Sequence, residues 1–338
     1  MRLPLLLSAA LLATPALACT TIALTGSGRP IVAYNYDFDT GIGQVLINPR
    51  GLQKTSSVVN NPVRWESRYG SVTFAQFGRD NPMSGMNEAG PFVSQMWLDE
   101  TRYETADARP ALGVLEWLQH LLDTSATVEE ALALAATVRI ESRVPLHYAM
   151  ADASGNAAVV EFISGTMTVR RGESLPHPVL ANSTYADSAA FVEASSPVTG
   201  ISSLARFARA AEAARATPAD PVAHAFATLA DVAQPGWTRW SVVYDLAERT
   251  VRWRSEENAA IREIDLDGFD LACAAPLKAL PVHAGVAGDV TAAFADYDAD
   301  ANADLVVRAY AETPFLRHLD PAEVAREARH ADSAVCAD

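Results

Sequence analysis

Cys19 stands directly behind Pro15-Ala16-Leu17-Ala18, which puts small residues at the −3 and −1 positions of a signal-peptidase site. Arg2 and the apolar run from Leu3 to Leu12 complete a secretory signal pattern, and that run is too short to span a bilayer. Cleavage after Ala18 is therefore expected to leave Cys19 with a free α-amine. One residue then carries both halves of a nucleophilic step. A Cys thiol needs only a nearby proton acceptor to attack. An α-amine, with a reference pKa of about 8, keeps a useful neutral fraction near neutrality. A lipoprotein signal also ends in Cys, but it wants Leu at −3 and a small residue at −2. Ala16 and Leu17 reverse that order.

The remaining chemistry-bearing residues are sparse. The seven His are scattered, and there is no H-E-x-x-H, no C-x-x-C, no G-x-S-x-G elbow and no P-loop. No metal and no organic cofactor are expected. Asp296-Tyr297-Asp298-Ala299-Asp300 begins like a calcium loop but has Ala301 where the loop needs Gly and Val307 where it needs Glu. It reads as a solvated acidic loop. Cys273 and Cys336 either pair in an oxidising compartment, tying the tail to the body, or sit as buried thiols.

The elements that must position Cys19 read as strand-rich ends around a helical middle. Thr20 to Leu24, Ile31 to Asn35, Val45 to Ile47, Val72 to Phe77 and Phe92 to Trp97 are expected strands. Gly113 to Leu122 and Val128 to Ala136 are helical by their Leu and Ala spacing. His147 to Ala151 with Ala157 to Ile163, and Trp240 to Leu246 with Thr250 to Arg254, read as hairpins. Ser202 or Ser203 is placed to cap a helix running to about Ala216, followed by another near Pro221 to Ala230. Hairpins rather than β-helix-β alternation predict antiparallel sheets with helices outside. No repeat and no linker interrupts the chain. One domain over residues 19–338 is expected, with an unassigned extension from about residue 270.

The chain has 338 residues, with 26 Lys plus Arg against 41 Asp plus Glu and a net charge of −15. That balance disfavours phosphate-backbone and anionic-lipid partners. An apolar content of 49% excludes intrinsic disorder. No later apolar run reaches membrane-spanning length. The expected location is the periplasm or the medium, with no membrane anchor, and a homo-oligomer is left open.

The stretch CTTIALTGSGRPIVAYNYDFD followed by GQVLINPRG resembles the start of the choloylglycine hydrolase and penicillin V acylase family. GMNEAGPFVSQMWLDET from Gly85, LANSTY from Leu180, SSLARFARAA from Ser202 and TRWSVVYDL from Thr238 continue the resemblance in the family's order, over roughly Cys19 to Leu266. It implies an α+β fold, the αββα sandwich of N-terminal nucleophile hydrolases, and hydrolysis of linear non-peptide amides without a cofactor.

Carried over position by position, the resemblance makes Cys19 the nucleophile and Asp37 the carboxylate that orients its amine. Asn182 becomes an oxyanion donor, typically worth about 3 kcal/mol of barrier. Arg206 becomes the helix-borne cation near the thiol. Trp97 falls where relatives place Asn or Tyr, its amide a second oxyanion donor and its indole a wall. Phe38, Met83, Met96 and Trp97 form an apolar pocket, so the expected partner is a small amide with an aliphatic or aryl acyl group. The chain departs from the pattern at Tyr34, where many members have Arg three residues before the Asp. Acyl homoserine lactones and penicillin V are the implied substrates. A bile-salt amide, a peptide in the dipeptidase-like branch, and a non-catalytic secreted binding protein remain as alternatives.

Overall fold

A computed structural model describes residues 19–26, 28–195 and 198–337; the signal-peptide reading falls on 1–18, outside the described residues. Alternating apolar segments pair into two large sheets. The first has seven strands in the order Val179–Leu180, Thr20–Leu24, Ile31–Asp37, Thr238–Asp245, Thr250–Ser255, Arg262–Asp265 and Gly288–Asp289. Its pairs are antiparallel except the last. The second has nine, ordered Thr166–Arg171, Ala157–Ile163, Leu146–Ala151, Phe92–Trp97, Ser84–Asn87, Ser71–Ala75, Gln44–Asn48, Lys278–Pro281 and Ala295–Asp296. All of its pairs are antiparallel.

The central strands are buried along nearly their whole length rather than on alternate residues, with only Trp97 at a strand end partly exposed. Both faces of each sheet are therefore covered at its centre, while outer strands such as Thr166–Arg171 stay partly exposed. Tyr36 donates to Gln76 Oε1 at 2.9 Å, and Ser84 and Tyr244 share a hydrogen bond of 2.8 Å, both across the gap between sheets. On the outer face of the nine-stranded sheet lie α1 (Val114–Thr124) and α2 (Val128–Ala135), packed through Trp117, Leu118 and Leu121. Helices α3 (Tyr185–Glu193), α4 (Ser203–Ala213) and α5 (Pro221–Asp231) form the layer beside the other sheet, where Asn35 donates to Leu229 O of α5 at 2.8 Å.

The caps follow the side chains at the helix starts. Ser202 accepts from Ala205 N at α4, and Asp220 from Val222 N and Ala223 N at α5, each filling an orphan amide of the first turn. Helix α1 begins one residue later than the spacing predicts, because Gly113 is its cap and Glu116 reaches back to the Gly113 amide at 2.7 Å.

The expected acidic loop is corrected. Asp298 accepts from Asp300 N and Ala301 N and so starts α6 (Ala299–Glu312), which pairs with α7 (Pro321–Ala328) around Ala303, Val306, Val324 and Ala328. Of the carboxylates that resemble half a calcium loop, Asp296 ends a short strand, Asp298 caps the helix and Asp300 lies in its first turn. Cys273 and Cys336 are joined by a disulfide, and Val335–Cys336 pairs with Leu52–Gln53 beside it.

Candidate active site

Cys19 heads the first strand of the seven-stranded sheet and is 4% exposed. The antiparallel register puts Thr21 opposite Tyr34, so the ring of Tyr34 runs back toward the strand start. Its one O–H proton is shared between Cys19 Sγ at 3.5 Å and Gln95 O at 3.1 Å. Sγ itself lies 3.8 Å from Asp37 O. Burial, and then the nearby Asp37 charge, push the thiol up to about 12, while the Tyr34 hydrogen bond and the Arg206 charge pull the other way. A thiol so placed is neutral near pH 7 and attacks only if its proton is taken as it does so.

Asp37 ends the second strand and is wholly buried. Gln234 Nε2 donates to its Oδ2 at 2.8 Å, whereas Oδ1 is buried with no hydrogen-bond partner among the described residues. Burial raises the carboxyl to about 6, opposed by the hydrogen bonds of Thr238 and Gln234 and by the charges of Arg206 and Arg239. A buried, unpaired carboxylate oxygen is costly unless a donor meets it.

Helix α4 organises the other side. Arg206, 1% exposed, donates to Cys19 O at 2.7 Å, to Thr20 Oγ1 at 2.5 Å and to Asn182 Oδ1 at 3.0 Å. Ser203, one turn earlier, accepts from Asn182 N at 2.8 Å. With its oxygen held by Arg206, Asn182 turns its Nδ2 to Trp97 O at 2.9 Å, leaving a second N–H on that nitrogen. Leu98 N donates to Pro145 O across the Trp97–Leu146 pair, which makes that pair the non-hydrogen-bonded kind. The N–H and C=O of Trp97 therefore both point away from the strand Leu146–Ala151, toward Asn182.

A cavity of about 350 Å³ opens at Cys19 and Asp37. Phe38, Met83, Gln95 and Trp97 are among its lining residues, together with Phe77, Val114, Leu115 and Val144. Its ionisable walls besides Cys19 and Asp37 are Tyr36, Tyr310, Glu116 and Glu327, with no Lys or Arg among them.

Cys19, Tyr34, Asp37, Asn182, Arg206, Trp97, Phe38 and Met83 are thus gathered around one end of the sandwich. Met96 is not part of the cavity wall. Successive strand residues face opposite sides, so with Gln95 and Trp97 turned to the cavity, Met96 enters the core between the sheets, 3.8 Å from Thr21 Oγ1. Tyr34, Asn182 and Arg206 stand behind the nucleophile rather than on the cavity surface. Gln234 and Gln95 escape sequence reasoning, because a Gln in a loop or mid-strand carries no spacing signal. Tyr310, Phe315 and Leu316 of the C-terminal extension also line the cavity.

Two stacked antiparallel sheets between helices, with a cysteine at the head of the first strand, define an N-terminal nucleophile hydrolase fold. Residues 19–191, just over half of the chain, match the model of the linear amide C–N hydrolases, choloylglycine hydrolase family, and the chain belongs to that family of amidohydrolases. It is 29% identical over 188 residues to a penicillin V acylase of Pectobacterium atrosepticum, a stretch that covers 49% of this chain and 50% of that relative. The structure of a penicillin V acylase from Agrobacterium tumefaciens superposes with a TM-score of 0.74 at 27% identity, covering 83% of this chain and 98% of that one. A conjugated bile acid hydrolase from Clostridium perfringens shares the fold, with a TM-score of 0.66 at 18% identity over 78% of this chain and 96% of that one.

Proposed function

We propose that this chain is exported, loses residues 1–18, and hydrolyses a small linear amide with a neutral apolar acyl group through a thioester on Cys19. The observation that carries the reading is the buried, unpartnered Oδ1 of Asp37 beside a buried thiol. The newly freed α-amine of Cys19 supplies the N–H donor that this oxygen lacks. The neutral amine takes the thiol proton as Sγ attacks the amide carbonyl. In this reading the remaining N–H of Asn182, reached as the substrate carbonyl enters past Cys19, and the amide of Trp97 hold the oxyanion. The ammonium then gives its proton to the leaving amine as the C–N bond breaks. Water attacks the thioester, its proton passes to the α-amine, and the acid leaves as the thiol is restored. Arg206 takes no proton in this sequence; it fixes Asn182 and the strand start.

Acyl homoserine lactones suit the cavity best. They are neutral, whereas the cavity walls carry Glu116 and Glu327 without a compensating Lys or Arg. Each buried methylene contributes about 0.8 kcal/mol, so kcat/KM should rise with acyl length from about C4 to C10. A second reading, penicillin V, is favoured by the names of the two relatives near 30% identity. The test is homoserine lactone release across the acyl series, beside penicillin V and glycocholate, with Cys19→Ser as control. A flat series with faster cleavage of penicillin V or glycocholate overturns the substrate but keeps the mechanism. Unchanged turnover by a folded Cys19→Ser protein overturns the mechanism.

A further inference from the structure

The C-terminal extension lies outside the stretch that the family model matches, yet it reaches the nucleophile's cavity. Helix α6 is seated firmly. Asn302 accepts from Gln44 Nε2 at 2.7 Å and from Arg79 N at 3.1 Å. A Cβ on Gly78, whose φ is +86°, would come within 2.7 Å of Val306, so only glycine allows the helix this close. At the far end of α6, Glu312 accepts from Thr40 Oγ1 at 2.7 Å, two residues past Phe38. The disulfide anchors the tail beyond α7.

The turn between the two helices is different in kind. It carries Phe315, 37% exposed, and Leu319, 40% exposed, over a protein whose other large rings are mostly buried. Phe315 packs edge-on against Phe38 at 6.3 Å and against Trp97 at 5.7 Å between ring centroids. Phe38 follows Asp37, the last residue of its strand in the seven-stranded sheet, and Trp97 ends an inner strand of the nine-stranded sheet and meets Asn182 through its carbonyl. One half-exposed ring therefore bridges the two sheets over the cavity that leads to Cys19. Anything bound there must pass or displace it.

We propose that Phe315 is a lid residue: the turn after α6 closes the mouth of the cavity between Phe38 and Trp97 and selects the width of the group admitted to Cys19. Its energetics suit a lid. Edge-on aromatic contacts are modest individually, so the ring can leave and return while α6 stays docked. The proposal rests on the functional reading for its substrate class, but not for its geometry.

The test needs no catalysis. Cys19 is alkylated with a small uncharged reagent, iodoacetamide, and with a broad uncharged one, an aryl maleimide, in the wild type, Phe315→Ala, Phe315→Trp and the surface control Leu319→Ser. Phe315→Ala should raise the broad-to-small rate ratio about tenfold with the small reagent's rate within about twofold, Phe315→Trp should lower the ratio, and Leu319→Ser should leave it unchanged. An unchanged ratio in folded Phe315→Ala overturns the lid, as does an equal shift in Leu319→Ser. The same variants are then run on the acyl series, where Phe315→Ala should flatten the length dependence. A shifted alkylation ratio in a protein that cleaves no amide keeps the lid and rejects the functional reading. An unmoved ratio in an active amidase does the reverse.

Discussion

Tyr34→Phe removes one oxygen from the site and leaves the ring in place. That oxygen shares its one proton between Cys19 Sγ and Gln95 O, and its hydrogen bond opposes the rise that burial imposes on the thiol. A hydrogen bond to a charged group contributes about 1.5–3 kcal/mol, and the 3.5 Å contact to sulfur belongs at the low end. That corresponds to a thiol pKa raised by about one unit, since one unit is about 1.4 kcal/mol. Below the midpoint the thiolate fraction falls about tenfold, but the more basic thiolate is about threefold more nucleophilic, so alkylation should slow about threefold at fixed pH. Gln95 O also loses its donor in a buried position, which should cost about 1–3 kcal/mol of stability. The assay is the rate of Cys19 alkylation by iodoacetamide against pH, in the chain whose Cys19 amine is still in a peptide bond, with urea unfolding alongside. A folded Tyr34→Phe protein that alkylates as fast as the parent, or faster, would refute the argument that Tyr34 serves the sulfur.

Three further outcomes follow from the same geometry. Tyr34→Arg introduces a cation beside the thiol and should move the alkylation midpoint down; a rise, or no shift in a folded protein, would mean that position 34 does not act on the thiol. In the uncleaved chain, Asp37 titrates near 6 folded against about 3.8 unfolded, so its contribution is full below about pH 4 and is lost as pH rises through 6. The wild type should therefore lose up to about 3 kcal/mol relative to Asp37→Asn over that window, read as the difference between their urea midpoints; a gain with rising pH would contradict it. Replacing Cys273 and Cys336 together with Ser opens a loop with a sequence separation of 63, and the chain-entropy model puts the loss at about 4 kcal/mol. Equal urea stability of the two proteins would mean that Val335–Cys336 and the α6 contacts hold the tail without the bond.

Much of this protein could be read from the order of its residues. The nucleophile and base proposed here are legible in Cys19 behind an A-x-A site, because both groups belong to one residue. The short apolar runs bounded by turn residues and the capping residues Ser202 and Asp220 place the central strands and α4 and α5, because turn signals and helix capping are local. Asp37, Asn182 and Arg206 are legible through motif strings, although nothing in those strings says that Arg206 would grip Asn182 rather than the thiol. The side of the sheet on which Met96 falls was decided by register, since a shift of one residue reverses every side chain. Gln234 reaches Asp37 across 197 positions, and Phe315 reaches Trp97 across more than two hundred. Such contacts leave no local spacing to detect. The acidic run at Asp296 looked like a loop because the same Asp that binds a cation can cap a helix, and only the packing of α6 against Gly78 and Gln44 selects the second use. The proposed nucleophile is local chemistry, whereas the walls around it come from segments between residues 36 and 146 and from residues 310–327, which only the folded sandwich brings together.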